Sequence, residues 1–222
     1  MSKRIKVSLI IFLTIAGFFF LFFNQISGYA YENWLEKNQE ELLTSITKES
    51  IEDNSANLDD EFDYEAIENI GNDIVIPDIN IADIKNAVGI ITIPSVDLEE
   101  PILHGTTNQN LLLGATTMKP EQKMGEGNYT LAGHNHHSKN VLFQPIRNVE
   151  IGEEIHVTNK DKIYTYKVTD KEVVEPSRVD VLGDVEGKQL ITLVSCYADD
   201  GSNRIIVTGE LYEVTDFVKD AE

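Results

Sequence analysis

Hydrophobic positions divide this chain into three stretches of different periodicity. Val7 to Phe23 is a predominantly apolar run that holds Phe18-Phe19-Phe20-Leu21-Phe22-Phe23, and no charge occurs from Val7 to Tyr31. Its length lies near the short end of a membrane span of about 20 residues, and the neutral residues beyond can lengthen it, so it predicts a transmembrane helix. From Glu32 to Thr47 the residues Trp34, Leu35, Leu42, Leu43 and Ile46 recur at helical spacing among Glu, Lys and Gln. That spacing predicts a short helix standing off the membrane. Ser50 to Asn72 is polar and acidic with scattered Leu58, Phe62, Tyr64 and Ile67, and reads as a linker or a loosely packed appendage.

The pattern changes at Val88. Val88–Pro94, Leu98–Leu103, Tyr129–Gly133, Glu154–Thr158, Ile163–Thr169, Gln189–Ser195 and Arg204–Tyr212 are short runs of strand-forming residues, and Asn110 to Met118 reads as a helical turn followed by a strand. Gly125-Glu126-Gly127, Asn159-Lys160-Asp161, Gly183-Asp184 and Asp199-Asp200-Gly201-Ser202-Asn203 supply turn chemistry between them. Strands at this spacing with few long helices predict an all-β barrel or sandwich. The chain thus divides into a tip and signal-anchor at 1–31, an acidic linker or appendage at 32–85, and a β domain at 86–222.

Charge refines this picture. Lys3, Arg4 and Lys6 flank the apolar run on its N-terminal side and predict that this end stays in the cytoplasm, with the rest of the chain outside. A cleaved signal peptide would have a shorter apolar region, roughly 7–15 residues, and a small-x-small site; Ser27-Gly28-Tyr29-Ala30 is a weak match. The formal charge of −20 is concentrated near the membrane, where Glu32 to Ile84 carries 16 acidic and 2 basic side chains. Such a stretch repels itself and stays solvated. It also disfavours nucleic acid and other polyanions as partners.

Candidate chemistry comes from three strand ends. Cys196, the only cysteine, closes the run from Gln189; His134 closes the run from Tyr129; Arg204 opens the run to Leu211. A thiol, an imidazole and a guanidinium at strand ends are the parts of a cysteine acyl-transfer site. The competing reading of a lone cysteine is a small buried hydrophobe. One cysteine excludes an intramolecular disulfide, although an extracytoplasmic compartment would permit one. His134-Asn135-His136-His137 offers several imidazoles, but a contiguous loop sets few of them tetrahedrally around a metal. His104 and His156 lie in strand-like runs and read as structural or exposed.

Several stretches match one family together. Gly89-Ile90-Ile91-Thr92-Ile93-Pro94 with Pro101-Ile102, Thr130-Leu131-Ala132-Gly133-His134, Leu142-Phe143-Gln144-Pro145-Ile146, Ile191-Thr192-Leu193-Val194-Ser195-Cys196 and Arg204 resemble the sortases, membrane-anchored cysteine transpeptidases of Gram-positive bacteria. The likeness runs from about Val88 to Glu213 and is nearest to class A, the housekeeping group. It implies an eight-stranded β-barrel in which Cys196, His134 and Arg204 meet. It also implies cleavage of a Leu-Pro-x-Thr-Gly (LPxTG) sorting signal on surface proteins between Thr and Gly. The product would pass to an amine of the cell-wall precursor lipid II. In that reading Cys196 forms a thioester, His134 moves protons, and Arg204, permanently cationic, holds the oxyanion.

Ser195 stands where the family usually has threonine before the cysteine; it keeps the hydroxyl, so activity is expected to survive. Some class A members hold calcium, and the corresponding positions here are Lys119, Gln122 and Glu126, with Asp184 as a later partner. A lysine in such a cluster repels calcium, so no metal, no cofactor and no calcium dependence are expected. The resemblance also implies substrate contacts from Thr106, Ala132, Val181, Leu182, Val194 and Ser195. A pilin-polymerising class C sortase would use the same three residues, and Asp60-Glu61-Phe62 echoes its lid; chance in so acidic a run explains that match better. An L,D-transpeptidase would have His and Gly before the cysteine, where this chain has Val194 and Ser195. A membrane-tethered binding module without catalysis is the remaining alternative.

Overall fold

The computed structural model of the chain describes residues 3–56, 62, 79–135, 141–198 and 201–218. Helix α1 (Lys3–Ser45) runs through both N-terminal segments without a break, and α2 (Lys48–Ala56) follows at once. Thr47 and Ser50 start α2 by exchanging backbone-to-hydroxyl hydrogen bonds, at 3.1 Å to Thr47 Oγ1 and 2.8 Å to Ser50 Oγ, a reciprocal cap that satisfies two otherwise orphaned N–H groups. The stretch expected as a short helix therefore continues the apolar N-terminal helix. No proline or glycine interrupts it after Gly28, and its apolar stripe has something to cover.

That something is a closed barrel of eight strands: β1 (Ala87–Ile93), β2 (Leu98–Leu103), β3 (Ala115–Thr117), β4 (Asn128–Ala132), β5 (Glu154–Thr158), β6 (Lys162–Val174), β7 (Leu190–Cys196) and β8 (Arg204–Asp216). Their order around the barrel is β1-β2-β3-β4-β7-β8-β6-β5. A one-turn helix, α3 (Asn108–Leu111), precedes β3 and is capped by the Thr107 hydroxyl. The expected strands are all present; β6 and β8 run longer than their apolar patterns, because twelve residue pairs between them extend a ladder past the covered part of the barrel.

Alternation sends Ile91, Ile93, Ile102, Leu131, Ile191, Leu193, Ile205 and Val207 inward to one buried cluster. Ile90 and Leu103 point out of the barrel and are covered by Leu42 of α1, Ile46 just past its end and Ile51 of α2. Further down α1, Tyr31 and Leu35 pack against Val141 and Leu142. Each such side chain removed from water contributes on the order of 1.5–3 kcal/mol, so the acidic segment is bound to the barrel through its apolar stripe and does not behave as a passive spacer. Asn54, also buried, donates to the Ala87 carbonyl at 2.9 Å. Leu58, Asp60, Glu61, Tyr64, Ile67, His136 and His137, singled out in the sequence, lie outside the described residues.

Candidate active site

Two features of the topology bring the candidate residues to one end of the barrel. β4 and β7 are parallel neighbours, so their C-terminal ends coincide. β7 then turns back into β8, its antiparallel neighbour, in a register that sets Cys196 directly opposite Arg204. The β4–β7 register pairs Ala132 with Val194, and the Gly133 N–H donates to the Val194 carbonyl at 3.0 Å. Carried two residues further, that register puts His134 level with Cys196. The three residues therefore form one row across three adjacent strands, with the cysteine in the middle. Directly opposed positions share a face and lie about 5 Å apart along the backbone.

Parity places this row on the outside of the barrel. Leu131, Leu193 and Ile205 face inward, so Ala132, Val194 and Ile206, one residue away on each strand, face outward beside the row. They form an apolar strip next to the sulfur: Ala132 and Ile206 are buried and Val194 is half-buried. Ile206 was not singled out from sequence. Its signal was the unbroken Ile205-Ile206-Val207, where strict alternation would have put a polar residue outward.

His134 is 5% exposed. Its backbone is fixed from both sides. The Phe143 N–H donates to the His134 carbonyl at 3.0 Å, and Asn135 bridges to Leu142. Gly133 is needed for this approach: a Cβ there would sit 2.3 Å from the Phe143 ring. Ser195 is buried, and its hydroxyl donates to the Gly133 carbonyl at 2.8 Å, tying the cysteine strand to the histidine strand. Arg147 donates to Asn135 Oδ1 at 3.0 Å and to the Tyr197 carbonyl at 3.2 Å, bracing the residues that follow both.

Burial pushes the Cys196 thiol above its usual pKa, and the Arg204 guanidinium pulls the other way. Arg204 itself is held by the Gly201 and Asn203 carbonyls at 2.8 and 3.2 Å, which fixes its head at the turn between β7 and β8. A cation anchored beside a thiol can stabilise a thiolate and, later, an oxyanion.

The other sequence-derived residues fall into two groups. Val181 and Leu182, both half-buried, lie on a single 3-10 turn (Val179–Leu182) whose carbonyls are clamped by Asn128 Nδ2 at 3.0 Å and Lys119 Nζ at 3.3 Å. Thr106 is fully buried, and its hydroxyl donates to the Thr117 carbonyl at 2.7 Å. At the positions compared with a calcium site, Lys119 Nζ lies 2.8 Å from Asp184 Oδ1. Gln122 instead turns to Thr130, accepting from its hydroxyl at 2.7 Å. Gly127, with φ of +53°, lets Asp184 approach: a Cβ there would meet the carboxylate at 2.9 Å. Among the described residues, no three His, Cys, Asp or Glu side chains cluster as metal ligands. His104, read as structural or exposed, is buried beside the Phe62 ring, with centroids 5.4 Å apart.

Comparison with known proteins gives one answer. A family model for the sortase domain matches residues 91–212. The chain is 45% identical over 130 residues to Sortase A of Bacillus anthracis, a match spanning 58% of this chain and 61% of that one. It is 35% identical over 162 residues to Sortase A of Listeria monocytogenes serovar 1/2a, with 72% of each chain covered. The crystal structure of Listeria monocytogenes sortase A superposes with a TM-score of 0.59 at 37% identity, over 61% of this chain and 93% of that one.

Proposed function

The chain belongs to the sortase family, and we propose that it is a sortase A-type cysteine transpeptidase that cleaves LPxTG-like sorting signals between Thr and Gly. The observation that carries this reading is Cys196 opposite Arg204 on β7 and β8, with His134 two residues past the end of the parallel neighbour β4, flanked by an apolar strip. Cys196 Sγ attacks the threonine carbonyl carbon, giving up its proton to His134 if the pair starts neutral. The tetrahedral oxyanion lies beside Arg204, whose charge offsets it. Collapse breaks the Thr–Gly bond, and the glycine amine leaves with the proton from His134. The thioester then accepts an amine, whose surplus proton returns to His134 as the Cys196 thiolate departs. An amine acceptor conserves the energy of the broken peptide bond in the new one, so no ATP is consumed.

Ala132, Val194, Val181 and Leu182 contact the Leu-Pro end of the signal in this reading, while Thr106 and Ser195 support the groove through their internal hydrogen bonds. The acceptor is a lipid II amine, and the Lys119–Asp184 pair makes the enzyme independent of calcium. The helix long and apolar enough to cross a membrane, Lys3–Phe23, is a membrane anchor, with the N-terminus cytoplasmic and the barrel outside.

The test is cleavage of an internally quenched LPxTG peptide by the full chain in detergent, with and without oligoglycine or a diaminopimelate-type amine. Cleavage with an amine-ligated product supports the proposal. A folded chain that cleaves no variant of the signal with either amine overturns it in favour of pilin polymerisation or plain binding.

A further inference from the structure

We infer that the barrel is seated on the membrane surface, because α1 both crosses the bilayer and carries the barrel, with the His134 end lowest. Lys3–Phe23 is unburied by the rest of the fold, and at 1.5 Å per residue it is about 31 Å long, the thickness of a hydrocarbon core. Tyr29, 68% exposed, follows in the interfacial layer, where a tyrosine is at home. Tyr31 is fully buried against the barrel, only eight residues and about 12 Å past Phe23. That leaves room for a headgroup layer and little more.

The contacts along α1 fix which way the barrel stands. At the level of Tyr31 its hydroxyl donates to the Leu112 carbonyl at 3.1 Å, and its ring packs with Val141 and Leu142. Leu42 and Ile46 meet Leu103 and Leu113 higher up. Just past the end of α1, Lys48 pairs with Asp161 in the β5–β6 turn at 2.6 Å. Leu142, which bridges to Asn135, is thus membrane-proximal, and the turn at Asp161 is distal by the helix rise from Tyr31 to Ser45, about 21 Å. Leu142 also holds a left-handed φ of +51°, a conformation a leucine keeps only when its surroundings impose it. Tyr31 and Leu35 pack on that leucine, so the helix contacts the segment next to His134.

Charge does not do the seating. Glu32, Glu36, Asp97 and Glu99 line a cavity of about 310 Å³ along the same seam, and carboxylates there oppose anionic headgroups. Seating should therefore require neither anionic lipid nor low salt. If the chain is the transpeptidase proposed above, the consequence is that its acceptor amine is met in the headgroup layer, as a lipid-linked amine would be.

The test uses the full chain with Cys196→Ala, reconstituted in phosphatidylcholine vesicles. Single cysteines at Gln109 (exposed, three residues from Leu112) and Lys162 (exposed, beside Asp161) carry a fluorophore in turn. Energy transfer to an acceptor dye on lipid headgroups should be several-fold stronger from position 109 than from 162, in low and high salt alike. A flexible Gly-Ser-Gly-Ser insertion between Gly28 and Tyr29 should erase the difference. Equal transfer from both positions in the uninterrupted chain, or a difference that survives the insertion, overturns the inference. The readout needs no catalysis, so its failure would leave the transpeptidase reading standing, and an inactive enzyme would leave the seating intact.

Discussion

Replacing Glu100 with leucine should stabilise the fold in a way that depends on pH. Glu100 lies on β2, is 3% exposed, and one of its carboxyl oxygens has no hydrogen-bond partner among the described residues. Burial raises its pKa from 4.5 to about 8. Neighbouring charges make ionisation no easier: Glu100 lines a cavity together with the carboxylates Glu32, Glu36, Asp97 and Glu99. The folded chain therefore keeps a proton that the unfolded chain releases. Folding weakens as pH rises from about 5 to about 8, by up to roughly tenfold in the equilibrium constant per unit, and levels off above; the ceiling is on the order of 5 kcal/mol. Leucine has no proton to lose and fills a similar volume. The only tryptophan, Trp34, stacks on Tyr31 with centroids 5.8 Å apart and packs against both clusters beneath α1. Urea unfolding followed by Trp34 fluorescence thus reads this seam. The stability gap between Glu100→Leu and the parent chain should widen from about pH 5 to about pH 8 and then hold constant. A gap that stays the same across that range refutes the burial argument.

Four other outcomes follow from the site. Gly133→Ala drives a methyl into the Phe143 ring and should cost about 1–3 kcal/mol and most peptide cleavage; adding Phe143→Leu should recover part of both, and a double variant no better than the single one would contradict the packing account. Arg204→Ala leaves burial as the remaining influence on the Cys196 thiol, so the midpoint of iodoacetamide alkylation should move to still higher pH; an unmoved or lower midpoint would show that the guanidinium does not act on the sulfur. Lys119→Met loosens the turn carrying Val181 and Leu182, and because the ion pair is exposed the peptide KM should rise by no more than about fivefold with kcat little changed. Neither calcium nor a chelator should alter the parent enzyme, and activation by calcium would sink the assignment of Lys119.

Much of the barrel was legible because its strands are short and alternate, with Gly, Asn and Asp at the turns. The three candidate side chains were legible as strand ends, but their being neighbours depends on the parallel pairing of β4 with β7, which no local pattern encodes. Ile206 was hidden because an apolar triplet does not say which member faces outward. The helix carrying Trp34, Leu35 and Leu42 was visible in the periodicity, while its continuity with the apolar N-terminal helix was not, since a charged residue at Glu32 marks the edge of an apolar run without ending a helix. The resemblance assigns Thr106 and Ser195 to the substrate groove; in the fold their hydroxyls are buried in internal hydrogen bonds. Asp184 drew attention for its charge, and its actual partners, Lys119 and the Asn128 N–H at 2.9 Å, are set by tertiary approach across Gly127.

The most direct test of the central claim is intact-mass analysis of the full chain mixed with an LPxTG peptide and no amine. The account predicts an adduct equal to the peptide fragment ending in threonine, mapped to Cys196, and its discharge onto an amine added afterwards. Cleavage that persists in Cys196→Ala, or an adduct on any other residue, would contradict it.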